Sequence, residues 1–218
     1  KSVVPKENKE FMARFDCDDV GEVVEYVGCK IDRDAEKGSM KITQPVMIQS
    51  FSDEFETSEK RPSTPAEAGT VLEPCSDGAK VDSKRHTYFR KGVGKLLHMT
   101  RWSRPEVQNS VRELARHGSK PCEAHVKAMH RVMDHCKGTA KRGWSLKPDR
   151  KWDGKDKSFK FCVHGMLDSD FAKCPVTRRS VSGYAAFLEG AAVSVKSAMQ
   201  RTVALSVTEA ELIAAVQC

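Results

Sequence analysis

V-A-L-S-V-T-E-A-E-L-I-A, residues 203–214, reads as the end of a strand running into a helix. Ser206 is a good N-cap and Glu209 stands three residues on, the capping-box spacing that satisfies orphan backbone donors at a helix start. Glu209 therefore has a structural task. Glu211 lies roughly 200° round the helix from it, among Ala210, Leu212, Ile213, Ala214 and Ala215. A carboxylate in that setting is a candidate site residue; the alternative is a solvated Glu stabilised by the helix N-terminus.

The segments upstream sharpen the choice. S-F-K-F-C-V-H-G-M-L-D-S-D-F (158–171) is a short alternating strand that ends on acids, and T-R-R-S-V-S-G-Y-A-A-F-L (177–188) passes from turn-like residues into an apolar strand. A-A-V-S-V-K (191–196) follows Glu189-Gly190, so the order is strand, strand, strand, helix with a hairpin at Glu-Gly. Asp168 lies on the first strand and Glu211 on the helix, and carboxylates from different elements are how Mg²⁺ is usually held.

D-S-D-F-A-K-C-P-V-T-R-R-S-V-S-G-Y (168–184) and V-A-L-S-V-T-E-A-E-L-I-A resemble the ribonuclease H region of copia-type LTR retrotransposon polyproteins, which typically shows D-A-D-W-A-G-D…T-R-R-S-T-S-G-Y and A-L-S-S-T-E-A-E-Y-I-A. The resemblance implies that Asp168 is the first catalytic carboxylate and Glu211 the second, both ligands of Mg²⁺, with Asp170 and Glu209 as secondary candidates. Ser169, Phe171, Cys174 and Val207 depart from that pattern, Cys174 standing where the family has an acid.

Composition is ordinary for a globular chain, 39% hydrophobic and 31% charged. No apolar run approaches the roughly 20 residues of a membrane span, and a chain starting at Lys1 suits a segment of something longer. The eight cysteines form no C-x-x-C pair and read as reduced, intracellular thiols. The net charge of +7 is unevenly spread: residues 1–60 carry a balance of −5 and residues 61–218 one of +12. Lys84, Arg85, Arg90, Lys91, Lys95, Arg101 and Arg104 occur with no acid between Asp82 and Glu106, and a second basic cluster runs from Lys137 to Lys160. Such stretches suit contact with a phosphate backbone; the alternative is a solvated helix face.

Taken in order, residues 9–15 read as a short helix, 21–31 as a strand, 32–38 as a turn, 39–43 as the returning strand and 44–55 as a helix with Pro45 in its first turn. F-D-C-D-D-V-G-E-V-V-E-Y-V-G-C-K-I (15–31) is similar to the stretch that follows the catalytic carboxylates of copia-type polymerases, F-x-M-x-D-L-G-E-L-x-Y-F-L-G-I-E-I. By that resemblance Tyr26 and Gly28 sit in a hairpin gripping a primer end; the plainer reading is a Gly that fits a tight strand pair. Asp18-Asp19 matches this motif better than a polymerase Y-x-D-D.

Residues 60–83, rich in Pro, Gly and Ser, read as a linker. Helices follow. Y-F-R-K-G-V-G-K-L-L-H-M-T-R-W-S-R-P (88–105) resembles the family's Y-R-x-x-V-G-x-L-L-Y-L-T-x-x-T-R-P-D, and the apolar spacings predict helices over 106–117 and 123–136. His125, His130 and His135, with Cys122 and Cys136, invite a zinc reading, but histidines five apart point about 140° apart on a helix and do not converge.

The expectation is therefore an α/β (α+β) chain: 1–59 as the end of a polymerase palm with the start of a thumb, 60–83 as a linker, 84–145 as a helical connection, and 146–218 as the N-terminal half of a ribonuclease H-like fold. Its implied partners are an RNA/DNA hybrid or primer–template and the rest of the polyprotein, with no membrane, inside the cell in a virus-like particle or the nucleus. The resemblance places the polymerase's catalytic aspartates before Lys1 and two further ribonuclease H carboxylates beyond Cys218, so the chain alone is expected to be inactive. The alternatives are a non-catalytic nucleic-acid-binding remnant and a zinc-stabilised interaction module.

Overall fold

The computed structural model describes residues 4–18, 21–69, 71–76 and 79–218. Asp19 of the F-D-C-D-D stretch lies outside them. The architecture is α+β, with helices and antiparallel sheets segregated along the chain. After a first helix, α1 (Val4–Arg14), come β1 (Glu25–Tyr26), β2 (Cys29–Asp34), β3 (Ser39–Thr43) and α2 (Pro45–Glu54).

The expected single strand over 21–31 is two short ones. Tyr26 pairs with Cys29, and the two residues between them, Val27 and Gly28, both have positive φ (52° and 72°). That is the geometry of a two-residue hairpin turn whose twist matches the flanking strands. Gly28 adopts it freely; Val27, β-branched and about half exposed, does so at a steric cost. One further element went unforeseen: β4 (Trp144–Leu146) returns to this sheet, pairing with β3 to give the order β1-β2-β3-β4. Three residues are too few for a period-2 pattern to register in sequence.

The main core is helical. It lies between α2, α3 (Ser83–Trp102), α4 (Gln108–Arg116) and α5 (Glu123–Gly138), with a 3-10 turn at Pro105–Val107 joining α3 to α4. Phe89, Val93, Leu96 and Met99 of α3 fall on one face and pack with Phe51 of α2, Val111 and Leu114 of α4, and Val126, Met129, Val132 and Met133 of α5. Gly92 sits so close to α5 that a Cβ there would collide with Met129 and Met133.

The described residues of 60–83 have little regular structure before α3, but they are not a free linker. They are strapped along α5 by its polar residues. His125 Nε2 lies 2.9 Å from the Glu73 carbonyl, His135 Nδ1 lies 3.0 Å from that of Pro62, and Arg131 donates to Glu67. Just before the strap, the buried Asp134 accepts from the Ser58 amide and hydroxyl. His130 turns elsewhere, to the Tyr88 hydroxyl at 2.9 Å. The histidines of the zinc reading thus go to separate partners, and among the described residues no group of three or more His, Cys, Asp or Glu could hold a metal ion.

Burial gives these histidines a pH signature. His117, stacked on His125 at 3.9 Å, is pulled down to about 4 by burial and by His125, and burial lowers His125 and His130 too. A histidine held neutral in the fold binds its proton first in the unfolded chain, so stability present above the unfolded value of about 6.5 is lost as pH falls toward 4. His117 alone contributes on the order of 3 kcal/mol to that loss. Urea unfolding at pH 7.5 and pH 5 should show the midpoint falling on acidification; a constant midpoint would contradict the burial of these rings.

The C-terminal part is a meander of β5 (Val163–Asp170), β6 (Val181–Leu188) and β7 (Ala191–Met199), followed by α6 (Val207–Gln217). The hairpin expected at Glu189-Gly190 is there, both residues at positive φ, with Leu188 paired to Ala191. Glu189 is buried and anchors the approach to β5: it accepts from Arg150 at 2.7 and 2.8 Å and from the Cys162 amide at 2.6 Å. The sheet is covered on one face by α6, across β5 and β6, and on the other by α4, against β7. Its buried apolar residues are mostly small (Ala191, Ala204, Ala210, Ala214), while Val163, Met166, Leu167, Leu212 and Val216 are exposed. No helix is long and apolar enough to cross a membrane among the described residues.

Candidate nucleic-acid face and carboxylates

The N-cap at α6 forms as its spacing predicts, the Glu209 amide donating to Ser206 Oγ at 3.1 Å, while the Glu209 carboxylate reaches one residue past the cap and accepts from the Leu205 amide at 2.7 Å. Glu209 is thereby committed to the helix start. Glu211, half-buried one turn in, points at β5, where its Oε1 accepts from the hydroxyl and amide of Ser169 at 2.7 and 3.2 Å. Ser169 is the residue by which the sequence departs from the family's Ala, and nothing in the spacing announced it as a partner.

Asp168 lies on the other face of the sheet. Successive strand residues alternate sides, and the row Asp168–Gly183–Ser197 faces α4, where Ser197 Oγ accepts from Arg112 at 3.2 Å. The neighbouring row, Ser169–Ser182–Ala198, faces α6, with Gln200 donating to both Ser182 and the Ala210 carbonyl. Asp170 shares the Asp168 side and pairs with Lys173 at 2.9 Å. Asp168, Asp170 and Lys173 thus line a groove of about 1230 Å³ between the sheet, α4, α5 and the strap, whereas Glu211 is on the far side of β5. As arranged, the two carboxylates do not converge on one position, so they do not fit a shared Mg²⁺.

Cys174 is buried, yet its thiol is drawn below the ordinary value. Burial pushes its thiol up, but hydrogen bonds from Thr177 and the neighbouring Arg116 outweigh burial and bring it down to about 7. Arg116 Nη2 donates to its sulfur at 3.0 Å, tying α4 to the loop after β5.

The seven basic residues of the 84–104 stretch divide into two sets. Arg85 is held by Glu56 and Glu123 at 2.9 and 3.0 Å. Lys91 and Lys95 both grip Glu54, at 2.7 and 2.6 Å, and hold its carboxyl below the usual range. Arg104 is fully buried: it pairs with Glu106 at 2.5 Å and donates to Thr139 Oγ1 and to the carbonyls of Cys136 and Thr139 at the end of α5. Its task is to join α3 to α5, and it is out of reach of a phosphate. The sequence showed the cations but not their counter-ions, which come from other elements.

Lys84, Arg90 and Arg101 remain. All three are exposed and have no carboxylate partner among the described residues. With Thr87, Gly94 and Leu97 they fall at helical spacing on one outward stripe of α3, which carries no acid and is flat at Gly94. Near the far end of that stripe, Trp102 meets Tyr26 of the β1–β2 hairpin edge-on at 5.9 Å. Tyr26 is more than half exposed, and Gly28 marks the tip of the hairpin. Lys84, Arg90 and Arg101 thus lie along α3, with Tyr26 and Gly28 on the hairpin that meets its C-terminal end.

The chain is 27% identical over 227 aligned residues, its whole length, to a retrovirus-related Pol polyprotein from transposon TNT 1-94 of Nicotiana tabacum, of which it spans 16%. Over 125 residues, 57% of its length, it is 30% identical to the retrovirus-related Pol polyprotein from transposon RE1 of Arabidopsis thaliana, of which it spans 8%. It is also 35% identical over 126 residues, 58% of its length, to the secreted RxLR effector protein 161 of Plasmopara viticola, covering 82% of that protein. No family profile and no solved structure matches it. The chain is thus similar along its whole length to one retrovirus-related transposon Pol polyprotein and over more than half of it to others, and it spans less than a fifth of the length of each.

Proposed function

We propose that the chain is the part of a retroelement polymerase that holds an RNA/DNA hybrid or primer–template behind the polymerase site and leads it into a ribonuclease H unit. The acid-free stripe of Lys84, Arg90 and Arg101 beside the Tyr26–Gly28 hairpin carries this reading. Positive side chains without internal partners pay no desolvation cost for leaving a carboxylate, so they are free to exchange counterions for phosphates, a contact that ignores base sequence. RNA-directed DNA synthesis and degradation of the RNA strand are, on this reading, activities of the parent polyprotein, within the cell and together with the rest of that polyprotein.

Asp168 and Glu211 belong to the ribonuclease H site of the parent, whose chemistry is Mg²⁺-assisted hydrolysis of a phosphodiester. In the arrangement of this chain they stand on opposite faces of β5 and do not hold a metal ion together. The same observation favours a second reading, a nucleic-acid-binding piece that no longer cuts.

The expected result is that residues 1–218 bind an RNA/DNA hybrid and, with Mg²⁺ added, leave its RNA strand intact, Asp168→Asn and Glu211→Gln changing nothing. Cleavage abolished by either substitution would show that the two carboxylates do meet. Absence of any hybrid binding at low salt would overturn both readings.

A further inference from the structure

We infer that the turn between α5 and β4, with Lys41 of β3, is a second and separate seat for one stretch of the nucleic-acid phosphate backbone. This inference rests on the reading of the chain as a hybrid-binding segment and names a further site for that ligand. The turn K-G-T-A-K-R-G (137–143) borders an opening of about 750 Å³, walled on its other side by β3 and Glu106.

The opening is positive for reasons of partner choice. Glu106 is its one carboxylate and is committed to Arg104. Lys41 Nζ donates to the Lys141 carbonyl at 2.8 Å and meets no acid there; Asp32, its cross-strand neighbour, is taken by Lys30 at 2.8 Å. Lys141 and Arg142 are exposed, with no carboxylate partner among the described residues. Three cations thus face one opening with nothing to neutralise them. The carbonyls at the end of α5, which would otherwise repel an anion, are occupied by the Arg104 guanidinium and the Thr139 amide.

The turn is also held in place. The Arg142 amide donates to the Thr139 carbonyl at 2.8 Å, and Thr139 Oγ1 accepts from Arg104 at 2.6 Å. Gly143 passes so close to β3 that a Cβ would collide with the Ile42 carbonyl, and one at Gly138 would press on Arg61. A loop pinned at both ends presents Lys141 and Arg142 at a set spacing. A phosphodiester backbone, with one negative charge per residue and no demand for base recognition, fits such a set of donors.

The test is fluorescence anisotropy of a labelled RNA/DNA hybrid with the full chain over a range of salt. Lys141→Ala/Arg142→Ala is expected to weaken binding roughly tenfold for any hybrid sequence and to reduce the log–log salt slope by about 2, one unit per lost phosphate contact. Lys196→Ala/Arg201→Ala, which removes equal charge from exposed positions outside the opening and outside both basic stretches, should leave the slope unchanged. A wild-type chain that binds while the Lys141/Arg142 variant binds equally, or both variants lose equally, overturns the seat and leaves the function standing. A wild-type chain that does not bind overturns both. A Lys141/Arg142-dependent rise in unfolding midpoint with inorganic phosphate, without any effect on hybrid binding, would overturn the backbone as ligand in favour of a free anion.

Discussion

Replacing Arg104 with methionine is expected to lower the stability of the chain by about 2–3 kcal/mol, the cost of removing a buried cation whose hydrogen bonds join α3 to α5. Arg104 has no exposed surface, and its guanidinium serves four acceptors: Glu106, Thr139 Oγ1 and two carbonyls that close α5. Methionine fills much of the volume but leaves Glu106 without its cation and Thr139 Oγ1 without its donor, while the Cys136 and Thr139 carbonyls keep only the Thr139 and Arg142 amides. Thermal unfolding should fall by several degrees for a chain of this size. Arg104→Met/Glu106→Gln should recover part of the loss, since the carboxylate is no longer left uncompensated. A shift of under 2 °C would show that Arg104 is not the pin between α3 and α5.

The second large effect concerns binding. Lys84→Glu/Arg90→Glu/Arg101→Glu should reduce affinity for an RNA/DNA hybrid about 10²-fold or more, because three phosphate contacts become three repulsions. The fold should not change: none of the three has a carboxylate partner among the described residues, and surface substitutions away from such contacts stay within about 0.5 kcal/mol. Arg85→Ala is the informative contrast. Its charge is spent on Glu56 and Glu123, so it should affect binding less than any of the three exposed cations. Equal binding by the triple variant and the wild-type chain would place the ligand elsewhere.

Much of the fold was legible in the sequence. Where local chemistry is strong the reading held: Pro45 at the start of α2, the Ser206–Glu209 cap of α6, the Glu189-Gly190 hairpin, and the apolar spacing of α4 and α5. Local signals failed where the outcome depends on a distant partner. The strand over 21–31 breaks at Val27-Gly28 because β1 pairs back on β2 there, and a valine at positive φ is not a residue-level turn signal; only the resemblance pointed to a hairpin. Composition made 60–83 a linker, yet histidines and acids on α5 fasten the chain from residue 58 to residue 73 along its length.

The candidate site divides along the same line. Residue type identified the carboxylates and the cations, but their roles depend on geometry that spacing does not carry. A strand alternates sides at every residue, so a helix that takes Ser169 as its partner is on the opposite face from Asp168. Four of the seven cations between residues 84 and 104 proved to be internal ion-pair partners of Glu54, Glu56, Glu106 and Glu123, acids lying outside the stretch that was read as uniformly basic.

The central claim is that the free cations of this chain hold a nucleic-acid backbone, and a salt titration of hybrid binding tests it most directly. With Lys84, Arg90 and Arg101 on α3 and up to three more at the α5–β4 turn, the logarithm of affinity should fall against the logarithm of salt with a slope of about −3 to −5, the same for hybrids of unrelated sequence. An affinity that does not change with salt, or that depends on the hybrid's base sequence, would contradict the account.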